Sequence, residues 1–311
     1  MDWIGFLKIW NKDDGPDGID DSDVGLEQTA PPETDLQFPE QIELLGNLYH
    51  LGKPSQGGIS VVAQATPEDP DLPNLALKMV REKWRDHVGV RRQFAGESSI
   101  VKSLDHPQLP RFVTRGRTNK QPYYAYEYFD GMPLIRLCQE TEDFPPEETR
   151  KDAHRYISQL LEQLDYLHTR DNPVVHGDIS SENVLLNAEE KVFLLDFGCA
   201  HLQHHPQPES FQWIAKPSFI SPEQARGDRW DSRSDLYQIG IVYYELVTSK
   251  RWNRGRNKRE KILFAGSNSP PPRKELMDLV GTKEATVLCG LLEPNPEHRY
   301  ATAKEALDEL R

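Results

Sequence analysis

Residues 174–186 read VVHGDISSENVLL. Two apolar runs enclose a polar loop that carries His176, Asp178 two residues later and Asn183 five residues after that. Downstream, "LLDFGCA" (Leu194 to Ala200) sets Asp196 straight after an apolar strand and before a Phe-Gly turn. A carboxylate at a strand end beside an amide such as Asn183 offers the hard oxygen ligands that suit Mg²⁺. A metal held in that way bridges phosphate oxygens and offsets charge developing on them. Either motif alone could be a turn; the pair, thirteen residues apart, points to phosphate chemistry.

Upstream the texture is β-like. The runs "NLYHL", "ISVVAQA" and "LALKMV" precede an amphipathic helical stretch around "RRQFAGESSIVKSL", and "RFVTRG" and "YYAYEYF" follow it. After "DGMPL" helical patterns dominate, in "YISQLLEQLDYLH", "SDLYQIGIVYYELVTS" and "EATVLCGLL". Strands first and helices later predict an α+β fold of two lobes, a small β-rich N-lobe on a larger helical C-lobe, with a cleft between them. "LALK" ends an apolar strand on Lys78, and Glu97 lies nineteen residues on, in the predicted helix. Such a Lys–Glu ion pair would hold an ammonium at the α- and β-phosphates of a nucleotide, or serve as a structural salt bridge.

Taken in order, these motifs resemble the eukaryotic-like (bacterial Hanks-type) serine/threonine protein kinases, from about Gly46 to Leu310. Lys78 matches the lysine of V-A-I-K and Glu97 the helix C glutamate. "YEYFDG" resembles the hinge, with Tyr126 at the gatekeeper position. Asp178 matches the catalytic-loop Asp, Asn183 the metal-binding Asn, and Asp196 the Asp of D-F-G. "SPE" (Ser221 to Glu223) resembles A-P-E, Asp235 the aspartate that anchors the catalytic loop, and Arg299 the late arginine that pairs with Glu223. The resemblance implies ATP and Mg²⁺ as cofactors and a protein as substrate. Asp178, Lys78 and Glu97 are the implied catalytic groups, and Asn183 and Asp196 the metal ligands. Gly57, Gly58, Val62, Ala76, Lys78, Glu127, Tyr128 and Asn183 are the implied nucleotide contacts. The implied kinase domain spans 42–311, with an N-lobe about 42–126 and a C-lobe about 132–311. A pseudokinase scaffold is the first alternative and a small-molecule phosphotransferase the second. The peptide-platform motifs around Glu223, Asp235 and Arg299 argue against the latter.

The chain departs from this pattern at four places. Ser55 and Ser60 stand at the outer positions of the glycine-rich loop. Gly177 replaces the Arg of H-R-D, the receptor for a phosphorylated activation loop. Control by activation-loop phosphorylation is therefore not expected, and Ser210 is the one hydroxyl before the S-P-E region that could be its target. Ser180 replaces the lysine that contacts the γ-phosphate. "AKPSFISPE" aligns Lys216 on a family threonine that adjoins that position, so Lys216 is expected to supply the missing cation.

Composition bounds the rest. Of a net charge of −13, residues 1–45 carry −10, so the acidity belongs to the leader. Residues 1–41 are expected to be a mostly disordered acidic leader, headed by the apolar cluster Trp3, Ile4, Phe6, Leu7, Ile9 and Trp10. That cluster is a candidate docking or membrane-surface segment. Nothing indicates nucleic acid binding. Three scattered cysteines make neither a disulfide framework nor a metal site, and no secretory signal or spanning run is evident, so a cytoplasmic location is expected. "RWNRGRNKREK" (Arg251 to Lys261) is strongly basic and reads as a solvated loop, a docking patch or a seat for the leader.

Overall fold

The strand-like runs between residues 41 and 127 pair into one antiparallel sheet in the computed structural model, which describes residues 38–139, 147–207, 215–267 and 269–311. Its strands are β1 (Gln41–Leu44), β2 (Asn47–Leu51), β3 (Ser55–Gln56), β4 (Ser60–Pro67), β5 (Leu75–Val80), β6 (Phe112–Thr118) and β7 (Gln121–Glu127). They lie in the order β1-β2-β4-β5-β7-β6, with β3 attached to β4. Register decides what the cleft receives. Val62 pairs with Lys78, Lys78 with Tyr124, and Ala76 with Tyr126. Because side chains alternate along a strand, Val62, Ala76, Lys78, Tyr124 and Tyr126 share one face. Val61, Leu77, Met79 and Ala125 point the other way, into a separate apolar cluster with Ile42, Leu44 and Tyr49.

Helix α1 (Val88–Lys102) packs on the first face and buries Val90, Phe94, Glu97, Ile100 and Val101. The His87 ring caps its N-terminus by accepting from the Val90 amide. The chain then passes through β8 (Met132–Pro133) into α2 (Ile135–Gln139) and α3 (Glu147–His168). Three short strands follow, β9 (Val174–Val175), β10 (Val184–Leu186) and β11 (Val192–Leu194), and then β12 (His201–Leu202). The body is completed by α4 (Pro222–Arg226), α5 (Ser232–Thr248), α6 (Lys258–Ser267), α7 (Arg273–Val280), α8 (Thr282–Leu291) and α9 (Ala303–Leu310). Helix α5 is buried from Ser234 through Thr248 and forms the axis against which α3 and α8 pack. A sheet-based N-lobe with one helix on a helical C-lobe is the two-lobed α+β arrangement expected from the sequence.

Strand β1 opens one residue before the expected boundary at 42. The acidic leader lies outside the described residues except for 38–41, and Phe38 packs against the outer cluster of the sheet. Ser210 also lies outside them. The basic stretch 251–261 is more structured than a solvated loop. Trp252 and Asn253 are buried, Arg251 pairs with Glu245, and α6 begins at Lys258. Among the described residues no helix is long and apolar enough to cross a membrane.

Candidate active site

Lys78 is 3 % exposed, so its ammonium needs full compensation. It receives it from two carboxylates, Glu97 Oε1 at 2.5 Å and Asp196 Oδ1 at 2.7 Å. Burial disfavours the charged amine, but Asp196 and Glu97 outweigh that and raise its pKa above the ordinary lysine value. The Tyr124 hydroxyl donates to Glu97 Oε1 at 2.7 Å and fixes that carboxylate from the sheet. Asp196 differs from Glu97 in that its side chain is 46 % exposed to the cleft. Desolvation alone would raise its pKa, yet Lys78 and Lys216 hold the carboxyl well below the usual range. Its backbone is left-handed, φ 63°, and the Gly198 amide donates to Oδ1 at 3.1 Å.

The polar loop 176–183 is held from beneath by α5. Asp235 accepts from the amides of His176 (2.8 Å) and Gly177 (2.7 Å) and sits 2.9 Å from His168 Nε2. Gln238 accepts from the Ile179 amide at 2.8 Å and donates to the Gly177 carbonyl at 2.9 Å. His176 Nε2 donates to the Leu195 carbonyl at 3.1 Å, burial lowers the ring's pKa below the ordinary histidine value, and the ring lies 4.7 Å from that of Phe197. The loop that carries Asp178 is thereby tied to the turn that carries Asp196.

Asp178 is buried, and burial together with the nearby Asp196 charge pushes its carboxyl up to about 7, against the opposing pull of Lys216 and Asn183. Asn183 Nδ2 donates to the Asp178 carbonyl (2.8 Å) and to its Oδ2 (3.1 Å). Asn183 Oδ1 faces Lys216. The Lys216 Nζ donates to that Oδ1 at 2.7 Å and to Ser180 Oγ at 2.8 Å, and lies 3.3 Å from Glu182. The Lys216 amide donates to Asp178 Oδ1 at 3.2 Å. The structure thus brings together Lys216 and Ser180, which are 36 residues apart in the sequence. The sequence reading missed Glu182 as the counter-ion of Lys216.

Of the remaining expected contacts, Val62 and Ala76 lie on the cleft face of the sheet with Lys78. Gly57 and Gly58 form the β3–β4 turn, where the Gly57 amide donates to Ser60 O at 2.9 Å and Trp84 Nε1 donates to Gly58 O at 3.2 Å. Ser55 donates across the hairpin to the Val62 carbonyl, so its hydroxyl serves the turn. Glu127 and Tyr128 follow in the segment that leads from β7 to the C-lobe; the Tyr128 amide donates to Asn74 O at 3.3 Å and the Glu127 side chain lies 3.4 Å from Arg111. Glu223 and Arg299 form a buried pair at 2.9 Å, with Ser234 donating to the same carboxylate. Cys199 is buried, which pushes its thiol up, and it packs as a small apolar residue.

Gly177 shows a feature that no motif announces. Its φ is +77°, and a Cβ there would come within 2.5 Å of Trp230 Cη2. The Trp230 indole fills the space in which the family's arginine side chain would begin, and His201 packs edge-on against it at 4.5 Å.

The protein kinase domain family matches residues 49–310. The chain is 29 % identical over 278 residues to the serine/threonine-protein kinase PknB of Mycobacterium tuberculosis, covering 86 % of this chain and 43 % of the relative. It is 26 % identical over 238 residues to the serine/threonine-protein kinase PrkC of Bacillus subtilis, covering 76 % of this chain and 36 % of the relative. The chain thus spans about two fifths of the length of such relatives. With the family matched across both lobes and its motif residues gathered at one cleft, the chain belongs to the protein kinase domain family.

Proposed function

We propose that this domain transfers the γ-phosphoryl group of ATP to serine or threonine hydroxyls of a protein substrate, with Mg²⁺. The observation that carries this reading is the buried Lys78 bridging Glu97 and Asp196 while the Asp196 carboxylate stays open to the cleft. A degenerate site has no need to keep three charged groups so arranged at the cost of desolvating them.

The donors present fit a magnesium ion. Asp196 is held ionised, and Asn183 Oδ1 already accepts from a cation, the Lys216 ammonium. Among the described residues no cluster of three or more His, Cys, Asp or Glu could hold a metal alone. Magnesium is commonly held by one or two protein oxygens and completed by phosphates and water, and Asp196 with Asn183 would supply that pair. Bound there, magnesium would neutralise charge on the transferring group. Lys78 positions the α- and β-phosphates. Asp178, made less acidic by burial, orients the acceptor hydroxyl and receives its proton. Lys216 supplies the cation that Ser180 cannot, from the activation segment instead of the catalytic loop. Positioning and charge stabilisation do most of the work.

Gly177 and Trp230 support independence from activation-loop phosphorylation, because an indole occupies the place of the phosphate receptor. Ser210→Ala is then expected to keep activity; loss of activity in that variant with retention in Ser210→Glu would overturn this part.

The test of the whole reading is incubation of the protein with γ-labelled ATP and Mg²⁺. Label on protein, lost in both Asp178→Asn and Asp196→Ala, is the expected result. ATP binding without turnover would favour the scaffold, and label only on a small molecule would favour the metabolite kinase.

A further inference from the structure

Where α1 meets the edge strand β6, the N-lobe opens a groove of about 750 Å³. Arg91 and Arg92 line it from the helix, Arg115 and Arg117 from the strand, and Phe94 and Tyr123 add apolar wall. All four arginines are exposed, and no carboxylate lines the groove. Among the described residues none of the four makes an ion pair. Other arginines of the molecule do, as in Arg85–Glu82, Arg226–Asp228 and Arg233–Asp231. Ser98 also lines the groove; it is 3 % exposed, and among the described residues its hydroxyl has no hydrogen-bond partner. Four like charges without an ion pair among the described residues, beside a hydroxyl without a partner among them, describe a surface suited to an anion.

We propose that this groove is a cationic docking site for an anionic segment, occupied in cis by residues 1–37 of the same chain. Those residues hold ten Asp or Glu against two Lys, so their charge of −8 complements the four arginines. Their first ten residues add Trp3, Phe6 and Trp10 for the apolar wall. Attachment and reach agree. Phe38 packs on the cluster that also receives Tyr123, a groove residue. Strand β1 lies at the far edge of the sheet from β6, five strand spacings or about 24 Å away. Twenty-eight residues separate Trp10 from Phe38, and a random-coil chain of that length has a root-mean-square span of about 30 Å. The rival seat within the chain, residues 251–261, is less available. Arg251 is paired with Glu245 and Arg256 with Glu260, and Trp252 is buried. Because α1 also carries Glu97, an occupant of the groove leans on the helix that positions Lys78. Docking itself does not depend on phosphoryl transfer.

The test uses the full chain with Phe6→p-benzoylphenylalanine, irradiated and mapped by mass spectrometry. Intramolecular links to residues 91–98 or 115–123 are expected. They should be lost in about 1 M salt, where screening acts over about 3 Å. They should also be lost when Arg91, Arg92, Arg115 and Arg117 are all changed to Glu. Should that variant misfold, Asp13, Asp14, Asp17 and Asp20 changed to Lys leave the folded domain untouched and should abolish the same links. Links to 251–261, links between two copies, or links that survive the charge reversal would each overturn the proposal.

Discussion

Lys216 sets one amino group against Ser180 Oγ, Asn183 Oδ1 and Glu182. In the function proposed above, this amino group takes the role that a lysine of the catalytic loop has in the family. Lys216→Met is expected to lower kcat by about 10²–10³, the cost of losing one preorganised transition-state contact. Adding Ser180→Lys to that variant should restore a large part of the loss, measured as kcat with KM followed separately. At Gly177, Gly177→Arg is expected to destabilise the fold by about 2 kcal/mol or more, combining a left-handed backbone with an overfilled contact. Thermal melts check this, and Trp230→Ala should relieve the steric part. The two residues differ in how far they could be read in advance. Lys216 was legible because it lies a fixed distance before S-P-E, a local offset. Trp230 on Gly177 is a contact across 53 residues with no periodic signature, and Glu182 reads in sequence as an ordinary surface acid.

At the scale of elements, the long strands and helices were legible as sustained apolar or periodic runs, even where burial is continuous, as in β5 and α5. Strands β8, β9, β10 and β12 were not, since two or three residues carry no period and their pairing depends on partners far away; β11 was read only from the Asp-Phe-Gly motif that follows it. The charged contacts between elements followed motifs instead. Glu223 on α4 meets Arg299 beyond α8 because both are motif positions. Desolvation raises the Glu223 pKa, but the Arg299 charge and the hydrogen bonds from Arg299 and Ser234 lower it on balance below the ordinary glutamate value of 4.5. A carboxyl with a depressed folded pKa contributes stability above its unfolded value, and that contribution disappears as pH falls through the folded one. Glu223→Gln should therefore cost about 3–5 kcal/mol at neutral pH, because it leaves a buried guanidinium unpaired. The gap between wild type and variant should narrow below the ordinary glutamate value, as read by denaturant titration at a series of pH values.

Over the whole molecule, the nucleotide reading makes a linkage prediction. A ligand held at one hundred times its Kd adds about 2.7 kcal/mol to folding stability. For a domain of this size that corresponds to a melting shift of about 5 °C. ATP with Mg²⁺ should produce such a shift, Asp196→Ala should lose the part that depends on metal, and an unchanged melt in the wild type would count against nucleotide binding. The two-lobed plan itself was legible from the order of strands and helices. The uneven distribution of charge was legible only in part: the acidic leader stands out in sequence, while the four arginines of the N-lobe groove come from two separated segments.

The contact between Gly177 and Trp230 also bears on how this domain can change over generations. Restoring an arginine at 177 in one step meets both the indole and an unfavourable backbone, so the intermediate is penalised before any new control could reward it. Shortening Trp230 first removes a buried ring from its packing against Cys199, Val175 and His201. Either order passes through a weakened protein. Gly177 is therefore held in place by its neighbours, and control through an arginine at that position would require both residues to change together.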